Sequence, residues 1–195
     1  MTKARKLLAT ALVVGLVGTV GGWATYAAFS STTSSAGNRF AAGTVALGSN
    51  ASGSWMYQVS NAEPSDSVTR CTKVTYNGTL ESAVRLYASP VGAVGDQIDL
   101  TITAGTGDPT FPGCTGFVAD SGPAVYTGTL KGFADAHNSF ASGFSDAPGS
   151  ATTWVQNDAV VYQFTLTLKD VAAANGGATP LSTGDHTFTW EAQNV

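Results

Sequence analysis

Between Val160 and Lys169 apolar and polar side chains alternate without a break. Val160, Tyr162, Phe164, Leu166 and Leu168 share one face, and Val161, Gln163, Thr165, Thr167 and Lys169 the other. A period of two describes a β-strand with one buried side. Gln97–Thr103 repeats the pattern with Ile98, Leu100 and Ile102 inward, and Thr187–Ala192 repeats it with Phe188, Trp190 and Ala192 inward. Ser54–Val59 offers Trp55, Tyr57 and Val59 on one side. Val68–Tyr76 is a weaker strand, with Val68, Thr72 and Val74 in phase, and Ala83–Ala88 returns with Val84, Leu86 and Ala88. Asn77-Gly78 lies between these two pieces, so they read as a hairpin or a tight corner. Val171–Ala174 alone leans towards helix. Phe133–Ser150 reads as a long surface loop pinned by Phe133, Phe140 and Phe144. About eight strands joined by Gly, Pro, Asp and Asn turns, with no repeat and no heptads, predict an all-β fold. The expected form is a jelly-roll-like, two-sheet antiparallel β-sandwich.

The pattern at the N-terminus is different. Lys3, Arg5 and Lys6 precede an apolar run from Leu7 to Val20, and a Ser/Thr-rich stretch follows Phe29. That order is the layout of an export signal. The run is short of the roughly 20 residues that span a bilayer comfortably. Signal peptidases accept small side chains one and three residues before the cut. A cut after Ala27 puts Ala27 and Thr25 there, whereas a cut after Ala28 would put Tyr26 in a narrow subsite. Residues 1–27 therefore read as a signal peptide and Ala28 as the mature N-terminus, with an uncleaved membrane anchor as the alternative. Residues 28–47 read as an N-terminal arm and first strand, and 48–195 as the sandwich domain. The expected location is extracellular and associated with the cell surface.

Composition supports that setting. Charged residues are only 11% of the chain, so its polarity comes from Ser, Thr, Asn and Gln. Low charge with abundant Thr, Val and Gly suits a turn-rich β domain. Three of the 9 basic residues lie in the leader, leaving six against 13 acidic ones, a net of −7. Those six (Arg39, Arg70, Lys73, Arg85, Lys131 and Lys169) form no patch, which argues against nucleic acid or an anionic membrane as partner. Membrane contact is expected only before processing.

Candidate chemistry is sparse. Cys71 and Cys114 are the only cysteines. In an exported chain two cysteines favour one disulfide, within a chain or between chains. A metal half-site or redox pair has neither a CxxC spacing nor a neighbouring His in support. By phase Cys71 points outward, so an intrachain bond would staple the Asp108–Cys114 loop over the outside of a strand. There are 2 histidines, His137 and His186, and no HExxH. A catalytic zinc normally takes three protein ligands. His186 is in phase with Phe188 and Trp190 and reads as a core-rim residue, and His137 as a solvated loop residue. Neither a GxSxG elbow nor a DxDxDG calcium loop is present. No catalytic residue, cofactor or metal is therefore assigned. Trp55, Tyr126 and Trp154 are candidates for stacking on a sugar ring, with core packing as their ordinary role.

Several short motifs occur in an order that resembles the TasA/camelysin family of exported bacterial matrix proteins. Thr25-Tyr26-Ala27-Ala28-Phe29 is similar to the family's Thr-Trp-Ala-Ala-Phe. Phe40-Ala41-Ala42-Gly43-Thr44-Val45-Ala46-Leu47 is similar to its Phe-Ala-Ser-Gly-Thr-Leu-Asp-Leu. Asn61-Ala62-Glu63-Pro64-Ser65-Asp66-Ser67-Val68-Thr69 follows its Asn-Leu-Lys-Pro-Gly-Asp-Lys-Leu-Thr. Asn77-Gly78-Thr79-Leu80 matches Asn-Gly-Ser-Leu, and Phe188-Thr189-Trp190-Glu191-Ala192 resembles Phe-Ser-Phe-Glu-Ala. The likeness covers roughly residues 20–90 and the last strand, not Gly92–Asp158. The Cys pair departs from the best-known fibre-forming members. The resemblance implies a jelly roll, release by a dedicated signal peptidase, and in several members fibres in which the N-terminal segment completes a sheet of the next subunit. Partners would then be further copies and other matrix or surface proteins. Ala28–Asn38 has no charge and no Pro, and Phe29 is its one large apolar anchor, so a donor strand is compatible with it. Some members have a metallo-endopeptidase label, so a camelysin-like peptidase is the enzymatic alternative. A monomeric binding module or adhesin is the other.

Overall fold

Alternation at period two folds into strands throughout the computed structural model, which describes residues 42–149, 151–170 and 182–195. The strands are β1 (Leu47–Ser49), β2 (Ser67–Tyr76), β3 (Ser82–Ala88), β4 (Ile98–Thr106), β5 (Val118–Ala119), β6 (Tyr126–Thr129), β7 (Phe144–Ser145), β8 (Ala159–Leu168) and β9 (Phe188–Asn194). One helix, α1 (Leu130–Ala136), follows β6. One sheet runs β1-β2-β8-β4-β5 with β6 also paired to β4, and the second runs β7-β3-β9. All pairings are antiparallel. In chain order β2, β3 and β4 alternate between the sheets, and so do the short β7 and the longer β8 and β9. The two-sheet all-β sandwich expected from the sequence is the observed fold. The leader, the Ala27/Ala28 cut, Phe29 and the Val171–Ala174 segment lie outside the described residues.

The core is built by the predicted faces. Val74, Tyr76, Leu100, Ile102, Val160, Tyr162, Phe164 and Leu166 of the first sheet meet Val84, Leu86, Phe188 and Trp190 of the second. Phe164 lies 4.7 Å from Phe188 and 6.1 Å from Trp190 between ring centroids. Aromatic contact across the layers adds to burial of area.

Two sequence expectations about elements need correction. Ser54–Val59 forms no strand. It crosses the edge of the sandwich as an extended loop, with Met56 and Tyr57 against the core and Trp55 and Val59 exposed. Phe133 belongs to α1 rather than to a surface loop, and it is fully buried. The Thr129 side chain caps this helix by accepting from the Gly132 N–H at 3.0 Å. Leu130, Phe133 and Ala134 form its buried i, i+3, i+4 stripe. Of the hairpin and the tight corner open to β2 and β3, the corner is the one observed. The Asn77-Gly78 corner sends the chain from one sheet to the other. A Cβ at Gly78 would lie 2.6 Å from the Thr44 carbonyl, so only glycine fits this approach. The Tyr76 hydroxyl fixes the corner, donating to the Leu80 carbonyl and lying 2.6 Å from Ser82 Oγ.

Candidate functional site

The layers do not cover each other completely. Beyond the start of β9, the inner face of the first sheet continues through Val68 of β2, Leu166 and Leu168 of β8 and Ile98 of β4. These residues, with Leu130 and Phe188, floor an open groove of about 960 Å³. Trp55, Tyr57 and Val59 of the crossing loop form one wall. Asn61, Glu63 and Asp66 from the turn before β2 form part of the rim, and Ser182, Thr183 and Asp185 from the approach to β9 form the rest. No Lys or Arg lines it.

Local chemistry holds this rim. Asp66 Oδ2 accepts from the Glu63 N–H at 2.8 Å, and the Asp66 N–H donates to the Glu63 carbonyl at 3.0 Å. The Tyr57 hydroxyl bonds His186 Nε2, tying the crossing loop to the segment before β9. His186 Nδ1 lies 3.2 Å from the Gly184 carbonyl. Burial pushes the Tyr57 phenol well above its ordinary pKa, so it stays protonated and bonds as a neutral group.

Unpaired main chain borders the same side. In an antiparallel pair alternate residues bond to the neighbour. Ser89 N–H donates to Thr187 O, and Val195 N–H to Glu81 O. The odd residues of β9 therefore face β3, and Phe188, Trp190 and Ala192 turn their N–H and C=O the other way. Among the described residues no strand pairs with that edge of β9. On β2, β1 covers only Val74–Tyr76. Asn50 extends the cover to Lys73, and the Pro112 carbonyl accepts from the Cys71 N–H at 3.0 Å. Ser67 and Thr69 lie beyond this cover.

The other sequence candidates are dispersed. Cys71 and Cys114 are bonded within the chain. Cys71 is fully buried, yet it lies outside the main core, beneath the 107–117 loop on the outer face, with Val161 of β8 on the same face. Trp154 is buried and its indole N–H donates to the Asp146 carbonyl at 2.8 Å, so it is a core residue and not a sugar platform. Tyr126 is half-buried against Phe133 and its hydroxyl donates to Thr129 O at 3.0 Å. Trp55 is exposed by 62% and flanks the groove. His137 ends α1, where its Nδ1 lies 2.7 Å from the Ser142 carbonyl and its ring meets Tyr126, Phe133 and Phe144. It is therefore a packed helix-end residue rather than a solvated loop one. Asp135 pairs with Lys131 one turn earlier, while Asp185 joins the groove rim. Among the described residues no three His, Cys, Asp or Glu side chains converge on a point that could hold a metal. No helix among them is long and apolar enough to cross a membrane. Sequence reading missed the groove because it forms only where two layers end at different heights. The run Asn61–Asp66, noted in the sequence only as part of a family-like motif, was its one local signal.

No curated protein matches the chain. Residues 3–91 match the model of a family described as camelysin metallo-endopeptidase. That stretch takes in β1, β2, β3 and the crossing loop of the groove, and it ends before α1 and the disulfide partner Cys114. Through residues 3–91, then, this chain is similar to the camelysin family, and the TasA/camelysin resemblance of its N-terminal motifs stands.

Proposed function

We propose that this chain is an exported structural protein of a bacterial surface or extracellular matrix. It polymerises when the segment beginning at Ala28 adds as a strand to another copy. One observation carries the reading: the outer edge of β9 has unpaired main-chain groups at Phe188, Trp190 and Ala192, beside an apolar groove. Such an edge is a template for strand addition, with main-chain bonds supplying affinity and pockets supplying specificity. Removal of residues 1–27 frees the arm from the membrane and so controls when assembly begins. The test is N-terminal sequencing of the secreted protein, followed by electron microscopy of that material and of a variant lacking Ala28–Asn38. The reading expects Ala28 first and filaments that disappear with the deletion. Filaments that form as readily without those residues would overturn it.

The description of the matching family favours a second reading, a metallo-endopeptidase. The residues described do not fit a catalytic zinc. His137 is held among aromatic rings and His186 by Tyr57, and no third ligand joins either of them. Chelator-sensitive cleavage of casein by purified protein would favour that reading over the structural one.

A further inference from the structure

We infer that the stapled 107–117 loop shuts the outer edge of β2, and that opening the Cys71–Cys114 bond frees this edge to pair with the same edge of a second copy. This concerns a different edge from that of β9 and does not rest on the polymer reading above.

Hydrogen-bond parity supplies the first argument. Leu168 N–H donates to Asp66 O, and Tyr76 N–H to Asp158 O. The even residues of β2 therefore face β8, and the odd ones turn their main-chain groups to the outer edge. From Thr75 to Thr69 each odd residue meets a different cover. β1 takes Thr75 through Gly48. Asn50 takes Lys73, its N–H donating to the Lys73 carbonyl at 3.1 Å and its Oδ1 accepting from the Lys73 N–H at 2.9 Å. The Pro112 carbonyl takes the Cys71 N–H, and the Arg70 guanidinium donates to the Thr69 carbonyl at 2.9 Å. Proline has no N–H, so Pro112 satisfies one edge group without continuing a ladder. Proline and charge are both means by which an edge resists strand addition. With the loop docked, Ser67 and Thr69, both exposed, are what remains open to a partner strand.

The loop is the removable cover. Besides the disulfide, it is tied to the sheet by the Pro112 bond, by Asn50 Nδ2 to Pro109 O and by the Lys73–Asp108 ion pair. Cys71 is fully buried and Cys114 half-buried, so a dithiol reductant attacks the Cys114 sulfur. Cys71 leaves as a thiolate and takes up a proton. The second thiol of the reductant then closes on the mixed disulfide and releases Cys114 as a thiol, so two electrons pass from the dithiol to the pair.

The uncovered run is complementary to itself. Antiparallel pairing about a two-fold axis at Thr69 sets Thr69 opposite Thr69 of the second copy, and Ser67 opposite Cys71. The three outward-facing residues of each copy then exchange about six main-chain hydrogen bonds. Arg70 falls opposite Val68, so no like charges are directly opposed. Both copies use the same surface, so the contact closes as a dimer.

The test compares the full purified protein oxidised, reduced with a dithiol, and as the Cys71→Ala/Cys114→Ala variant, by analytical ultracentrifugation. The last two should show a dimer that the oxidised form lacks. Thr69 N–H faces away from β8, so Thr69→Pro in the cysteine-free background keeps the internal ladder and should abolish the dimer. Thr69→Cys in that background should cross-link into a covalent dimer on mild oxidation, whether or not filaments form and whether or not the proline variant folds. Thr165→Cys, opposite Thr69 but one strand further in, should not. Equal cross-linking from the two positions, or association that a folded Thr69→Pro variant retains, overturns the assignment to β2. A loop that becomes protease-sensitive on reduction without any dimer overturns it too, and a loop that stays docked overturns the role of the bond. Absence of filaments from the oxidised protein would count against the polymer reading alone.

Discussion

Breaking the Cys71–Cys114 bond should lower the melting temperature by roughly 8–16 °C. The bond closes a loop of sequence separation 43. In the chain-entropy account such a cross-link restricts the unfolded chain by about 4 kcal/mol. A domain of this size melts about 2–4 °C lower for each kcal/mol lost, which gives that range. Three other ties hold the stapled loop: Cys71 N–H to Pro112 O at 3.0 Å, Asn50 Nδ2 to Pro109 O at 3.0 Å, and Lys73 Nζ to Asp108 Oδ1 at 3.0 Å. The last is largely exposed at its Asp108 end and contributes little. Together they supply a net of about 2–3 kcal/mol. Ordering the loop backbone costs about 1 kcal/mol or more for each of its residues. Without the covalent bond the loop should therefore undock, uncovering Val161. The assay is calorimetry of the protein with and without reductant, and of a Cys71→Ala/Cys114→Ala variant, with limited proteolysis in parallel. New cleavage within residues 107–117 should accompany the lower melting temperature. An unchanged melting temperature with a protease-resistant loop would show that the noncovalent ties suffice, and would refute this accounting.

Three further outcomes follow from the same structure. Trp154→Ala removes a fully buried indole and leaves the Asp146 carbonyl without its donor, so it should destabilise by about 3–5 kcal/mol in denaturant titration. Thr129→Ala removes the N-cap of α1 and should cost about 1 kcal/mol, with faster hydrogen exchange at Gly132. Burial raises the pKa of Asp146, the charge of Asp120 raises it further, and the Tyr162 hydroxyl partly offsets both. Its Oδ2 is buried without a hydrogen-bond partner. A carboxyl whose folded pKa is raised favours the folded state while protonated and loses that contribution as pH rises through the folded value. Asp146→Asn should therefore raise the melting temperature at neutral pH, and the gain should vanish below the ordinary aspartate range. A gain that persists at acid pH would contradict this cause.

The alternation of side chains settled which faces are buried. Leu100, Ile102, Phe164 and Leu166 lie inward as their spacing requires, because the period of a strand is a local property of its backbone. The outward phase of Cys71 likewise placed the staple on the outside of the sheet. Partner choice was not local. Asn77-Gly78 is compatible with a hairpin or a corner, and only the close approach of Thr44 and the bonds of the Tyr76 hydroxyl make it a corner. Val161 sits at a polar-face position and is buried only because a loop from elsewhere in the chain folds over it. Ser54–Val59 has the alternation of a strand but no neighbour with which to pair, and a strand without hydrogen-bond partners does not form. The groove belongs to the same class. Its floor residues on the strands, Val68, Ile98, Leu166, Leu168 and Phe188, were legible one by one as inward positions, but their exposure to a cavity depends on where β9 stops relative to β8. That is decided by how far two packed layers overlap, a quantity that no local pattern encodes.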